Sequence, residues 1–245
     1  MSFVITMYVR EGIVLAADSR LTLNATTQQG ANQVMQMAVG QSDSNCKIFL
    51  ANNIGIATFG AADIQGVPLS GHIESFIQGH ITGPTQTTGT GIGVDEVPQK
   101  LLEYFSQFQP APVTQFHVAG YARVGTTSVQ RIWDVNVGTG SVNLLNPAGL
   151  PGASWGGEGD ILQRLILPMT SLDLATGNTN PLPQHHIPWQ FFTMQDAIDF
   201  CIFAVRSTID AIRFQPRPKT VGGPIDVLVI KPNEAIWVQR KELHA

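Results

Sequence analysis

The chain runs to 245 residues with a formal net charge of −4, and 43% of it is hydrophobic. That length suits one sizeable α/β core rather than two, and the mildly acidic balance argues against nucleic acid or an anionic membrane as the main partner. Charged residues make up only 13%, against 24 glycines and 15 prolines, so part of the surface is expected to be covered by partner subunits, because charge is depleted at interface centres.

Met1-Ser2-Phe3 opens directly into an apolar run. With no basic leader and no small-residue cleavage site, no signal peptide is expected. Residues 3–9 read as a strand, Arg10-Glu11-Gly12 as a tight turn and 13–17 as a second strand, a β-hairpin ending in Asp18-Ser19-Arg20. The stretch 24–45 is polar, rich in Gln, Thr and Gly, and reads as a long loop whose Val34, Met35, Met37 and Val39 are available to a neighbour. Residues 46–51 and 54–59 form another strand pair around Asn52-Asn53.

Ile64, Val67, Leu69, Ile73, Phe76 and Ile77 recur at helical spacing over 62–78, with a break expected at Pro68. A Thr/Gly-rich loop over 82–93 leads to a second helix carrying Val97, Leu101, Leu102, Phe105 and Phe108, with Asp95 as its N-cap and Pro110 beyond its end. Strands resume at 115–123, 128–135 and 142–145, followed by a short helix at 160–167. Residues 168–192 hold several prolines and little periodicity, and read as an insertion or arm. The longest helix, 194–214, is capped by Thr193 and places Ala197, Ile198, Cys201, Val205, Ile209 and Ile212 on one face. A hairpin of 225–230 and 235–239 closes the chain. Strands at both chain ends around central helices imply two packed sheets with helices outside them.

Several signals carry little chemistry. Gly89-Thr90-Gly91-Ile92-Gly93 lacks the spacing, the preceding strand and the lysine of a nucleotide loop. His185-His186 lacks a third metal ligand. Asn24-Ala25-Thr26 is a glycosylation sequon only by composition. Cys46 and Cys201 form no C-x-x-C pair and fall in segments that read as buried, which fits a reducing cytoplasm. No apolar stretch approaches the roughly 18 residues of a membrane span.

One pattern is more specific. The run Ser2-Phe3-Val4-Ile5, then Glu11-Gly12-Ile13-Val14-Leu15-Ala16-Ala17-Asp18-Ser19-Arg20, then Lys47-Ile48-Phe49 and Thr58-Phe59-Gly60-Ala61-Ala62-Asp63, resembles the opening of proteasome β subunits and their bacterial relatives. The resemblance is dense from Ser2 to Ile77 and returns in the long helix and Gly222-Gly223-Pro224-Ile225-Asp226-Val227-Leu228-Val229-Ile230. It implies an α+β fold, a four-layer αββα sandwich of the N-terminal-nucleophile (Ntn) hydrolase type with two antiparallel sheets between helices. The whole chain, 1–245, would be one such domain with insertions near 24–45 and 168–192. It implies Ser2 as nucleophile once Met1 is removed, Asp18 and Lys47 as the acidic and basic supports, and the Gly60 N–H as oxyanion donor.

The chemistry gives those residue types a reason. A freed Ser2 carries a hydroxyl and an α-amine together, and such an amine titrates near pH ~8, so a useful fraction is neutral at pH 7. A desolvated Lys47 beside Asp18 would lower the pKa of its neighbours and organise proton transfer. The expected activity is hydrolysis of peptide bonds in a peptide or unfolded protein, without a cofactor or metal, in a homo-oligomeric ring or stack of rings in the cytoplasm. Any regulatory ATPase partner is left unidentified. Two departures keep an alternative open. Gly157, in Trp155-Gly156-Gly157-Glu158-Gly159, stands where active members carry a serine, and Arg217-Pro218-Lys219-Thr220-Val221-Gly222-Gly223 holds neither the acidic residue nor the second serine of that family. The alternative is an inactive proteasome-like structural or assembly subunit. A small-amide hydrolase of the wider superfamily is a third reading.

Overall fold

The computed structural model describes residues 2–29, 32–82 and 92–242. Strands β1 (Phe3–Val9) and β2 (Gly12–Asp18) form the expected opening hairpin, with Val4 opposite Ala17 and Val9 opposite Gly12. Every residue of both strands is buried. Successive side chains point to opposite faces of a strand, so both faces are covered, and the sequence there is apolar throughout.

The stretch expected as a loop over 24–45 is instead a ribbon. β3 (Leu21–Gln29) and β4 (Asn32–Ser42) pair antiparallel with each other alone. A ribbon outside the main sheets has no face that must go to the core, so the period-two apolar signal that marks a strand is missing from its sequence. β5 (Ile48–Ala51) and β6 (Ile54–Gly60) follow, joined by Asn52 and Asn53 at φ of 48° and 62°. Two consecutive positive φ values are what a two-residue type I′ turn demands, and asparagine tolerates them.

The helix expected from residue 62 starts later. β7 (Asp63–Ile64) and β8 (Val67–Pro68) make a small turn before α1 (Leu69–Phe76), which runs on as a π-helical turn over Ile77–Ile81. Pro68 restricts the residue before it and fixes the helix start after itself. α2 (Val97–Ser106) carries Pro98 in its first turn, where no N–H is needed. Asp95 is not its cap; the Asp95 carboxylate accepts from Trp133 Nε1 at 3.1 Å and Arg131 Nε at 3.3 Å. The Thr/Gly-rich run over 82–93 and its Gly89–Gly93 segment fall largely outside the described residues.

β9 (Thr114–Val124), β10 (Thr127–Asn136) and β11 (Ser141–Leu144) match expectation. β12 (Gly152–Gly157) does not, because Gly-Ala-Ser-Trp-Gly-Gly has little intrinsic strand preference. Its pairing with β1, from Phe3 opposite Gly157 to Tyr8 opposite Gly152, makes it a strand. After α3 (Asp160–Ile166), the 168–192 segment forms an exposed hairpin of β13 (Thr170–Leu172) and β14 (Thr179–Pro181). α4 (Met194–Arg213) opens on a complete capping box between Thr193 and Asp196, and β15 (Ile225–Lys231) and β16 (Glu234–Gln239) close the chain.

Two five-stranded antiparallel sheets result, ordered β12-β1-β2-β15-β16 and β11-β10-β9-β6-β5. Phe3, Ile5, Met7, Val14, Val227 and Val229 pack on Leu162 of α3 and Ala197, Cys201, Val205 and Ile212 of α4. The other face of that sheet, including Val4, Ile13, Leu15 and Leu228, meets Ile48, Ala57, Phe59, Ala119 and Ile132 of the second sheet. The far face of the second sheet packs Phe49, Ile56, Phe116 and Val118 on α1 and α2. Each fully buried aliphatic side chain contributes about 1.5–3 kcal/mol to this mixed α+β arrangement, which is compatible with a sandwich. No described helix is long and apolar enough to cross a membrane.

Candidate active site

Asp18 ends β2 with no exposed surface. Its carboxylate accepts four hydrogen bonds. Oδ1 takes Phe3 N at 3.0 Å and Lys47 Nζ at 2.6 Å, while Oδ2 takes Arg20 N at 3.1 Å and Gly222 N at 3.0 Å. The hairpin explains the first, since the start of β1 lies beside the end of β2. Lys47, 3% exposed, immediately precedes β5, and its carbonyl accepts Thr58 N of β6 at 2.9 Å. Burial pushes the Lys47 ammonium below the ordinary lysine pKa; attraction to Asp18 and the hydrogen bond with it act in the opposite sense. A buried charge persists when paired and hydrogen-bonded in this way.

Ser2, Lys47 and Gly60 line one cleft, together with Arg20, Thr22, Thr58 and the 61–62 turn. The enclosed space at its base is ≈ 20 Å³, room for about one water molecule. Ser2 is 7% exposed, and its carbonyl accepts Glu158 N at 2.8 Å. Gly60 ends β6 at a φ of +112°, and a Cβ there would lie 2.6 Å from the Val113 carbonyl oxygen, so only glycine fits. The structure thus brings Ser2, Lys47 and Gly60 to one cleft, with Asp18 buried against Lys47. The expected removal of Met1 concerns a residue outside the described set.

The sequence pointed to Gly157 and to the 217–223 stretch but not to the contacts they make. Gly157 stands at a φ of +83°, where a Cβ would fall 1.8 Å from the Ser2 carbonyl oxygen. No serine fits this backbone, so the departure at Gly157 has a steric cause. The next residue, Glu158, accepts Thr220 Oγ1 at 3.1 Å and Arg217 at 3.1 Å, and Arg217 also donates to Asp160 at 3.1 Å. A carboxylate from the end of β12 and a hydroxyl from the segment after α4 therefore meet on the residue whose backbone N–H donates to the Ser2 carbonyl. The Glu158 and Thr220 types were visible in the sequence; their meeting was not, because 62 positions separate them.

Further charges brace the turn at Asp18. Arg20 grips Asp43 with two hydrogen bonds, Nε at 2.6 Å and one terminal nitrogen at 2.7 Å, and donates to the Lys219 carbonyl at 3.3 Å. The hydrogen bond with Asp43 raises the Arg20 pKa, and Arg20 lowers that of Asp43. Lys241 forms a buried ion pair with Asp226 and donates to Ser19 Oγ at 3.0 Å, joining the end of the chain to the residue after Asp18. Among the described residues no group of three or more His, Cys, Asp or Glu side chains is placed to hold a metal ion. Compared with known proteins, the chain matches no family model and no curated sequence.

Proposed function

We propose that this chain is an Ntn hydrolase of the proteasome β-subunit type, folded as a four-layer αββα sandwich, that hydrolyses peptide bonds through Ser2. The observation that carries the reading is the buried Lys47–Asp18 pair, 2.6 Å apart, against a cleft that Ser2 and Gly60 also line. The reading places Met1 removal first, so that Ser2 gains a free α-amine. Ser2 Oγ then attacks the substrate carbonyl carbon while the amine takes the hydroxyl proton. The carbonyl electron pair moves onto oxygen, where the Gly60 N–H stabilises it, a contribution of about 3 kcal/mol. Collapse expels the leaving amine, which takes the proton from the α-ammonium. Water, deprotonated by the α-amine, attacks the Ser2 ester; collapse breaks the ester C–O bond, Ser2 Oγ takes the proton back from the α-ammonium, and the carboxylic acid is released. Lys47, its ammonium made a stronger acid by burial and tethered by Asp18, sets the field around these transfers.

A second reading is an inactive structural subunit of the same fold, favoured by the steric exclusion of a serine at Gly157. In both readings the chain assembles into a homo-oligomeric ring or stacked rings. Exposed Phe203 and Phe214 at α4, exposed Leu165 and Leu167 at the end of α3, and exposed Leu172 and Leu174 in the 168–192 segment support assembly. Intact-mass analysis of the purified chain, before and after a β-lactone electrophile, tests the hydrolase. Loss of one methionine, a lactone adduct on Ser2 and cleavage of a fluorogenic peptide amide that vanishes in Ser2→Ala are expected. Retained Met1, or hydrolysis unchanged in Ser2→Ala, rejects it. A ring by native mass spectrometry with Met1 retained and no adduct selects the structural subunit.

A further inference from the structure

A second cleft opens where edge strand β12 of the first sheet lies over β9 and β10 of the second. It measures about 420 Å³ and is lined by Phe59, Gln115, His117, Asp134, Leu145, Ala153, Ser154, Trp155 and Gln163, within the range of small-ligand sites. Phe59 also borders the Ser2 cleft, so one ring separates the two.

His117 is 2% exposed, and its Nδ1 lies 2.9 Å from the buried Thr6 hydroxyl, while its Nε2 has no partner among the described residues. Asp134 sits directly across the strand pair from His117, so both side chains leave the same face of the sheet. Among the described residues the half-buried Asp134 carboxylate has neither a hydrogen bond nor an ion pair, and the side chains of Gln115, Ser154 and Gln163 make no hydrogen bond either. The fully enclosed carboxylates of Asp18 and Asp226, by contrast, are both matched by lysines. Asp134, Gln115 and Ser154 are partly open to solvent and Gln163 is exposed, so polar groups with no partner in the protein converge on a concave space that a ligand can enter.

We propose that this cleft binds a small organic ammonium ion, such as a short alkylamine or the amino group of an amino-acid derivative, with Asp134 as its counter-ion. His117 Nε2 and the Gln115 and Gln163 amides supply further hydrogen bonds, and Leu145 and Phe59 provide apolar surface for the carbon chain. Burial already raises the Asp134 pKa and leaves His117 neutral, with its pKa pulled down to about 4. Asp134 is then the only residue of the lining able to carry charge at neutral pH, and its sign selects a cation.

The test is calorimetric titration of the full chain with n-butylamine at neutral pH, which needs no hydrolytic activity and so stands apart from the Ser2 reading. Saturable one-to-one binding is expected, at least tenfold weaker in Asp134→Asn and unchanged in Asp210→Asn, an exposed carboxylate on α4. Melting curves check that the variants fold; should Asp134→Asn fail, Ser154→Leu, which adds bulk to the cleft lining, is expected to abolish binding. Absence of saturable binding, equal affinity in Asp134→Asn, or equally tight binding of uncharged n-butanol overturns the proposal.

Discussion

Asp18 and Lys47 form a pair whose two halves differ in what each leaves behind when the other is removed. Lys47→Met removes one of four donors to the carboxylate and keeps the three backbone N–H groups of Phe3, Arg20 and Gly222. Losing one charged hydrogen bond costs about 1.5–3 kcal/mol. Asp18→Asn does more damage, because its amide nitrogen turns a donor toward existing donors and the ammonium of the buried Lys47 side chain loses its counter-ion. Breaking a buried pair from that side costs about 3–5 kcal/mol. The double variant Asp18→Asn/Lys47→Met no longer buries a charge, so its loss is expected to fall below the sum of the singles by about 1–2 kcal/mol. Urea unfolding of the four proteins, compared at constant m, reads the cycle directly. Equal losses in the two singles, or strict additivity within about 0.5 kcal/mol, would show that Asp18 is held by its backbone donors alone and that the pair has no energetic coupling.

Acid stability reports on His117. Its folded pKa of about 4 lies below the usual histidine value of 6.5, so its contribution is present above pH ~6.5 and is lost as the pH falls toward 4, by about 3 kcal/mol in all. Urea melts at pH 7 and pH 4 should show that loss in the wild type and a much smaller one in His117→Met. Asp134, raised by burial, acts in the opposite sense, so Asp134→Asn is expected to steepen the acid loss rather than relieve it. At Gly157, an alanine meets both the Ser2 carbonyl and a left-handed backbone; thermal and urea melts of Gly157→Ala should show about 2–5 kcal/mol of destabilisation, together with loss of any lactone adduct on Ser2. A neutral Gly157→Ala would mean that the β12 end and Ser2 are not in the contact described.

The opening hairpin, the Asn52-Asn53 turn, the break at Pro68 and the Thr193 cap were all legible in the sequence, because each is written in residues close together along the chain. Apolar runs, asparagines that accept positive φ, a proline without an N–H and a threonine three residues before an aspartate act locally. The β3–β4 ribbon and β12 were not legible, since a ribbon outside the main sheets needs no alternating face and a glycine-rich edge strand exists only by pairing with β1. The candidate site divides the same way. Ser2, Asp18, Lys47 and Gly60 were named from the sequence through a resemblance, and the fold brought Ser2, Lys47 and Gly60 to one cleft, with Asp18 hydrogen-bonded to Lys47. The Glu158–Thr220 bond, the exclusion of any side chain at Gly157, and the meeting of His117 with Thr6 across the two sheets depend on backbones that approach through tertiary packing alone. Local preferences specify elements, whereas contacts between residues far apart in the chain are fixed only when the sheets close on each other.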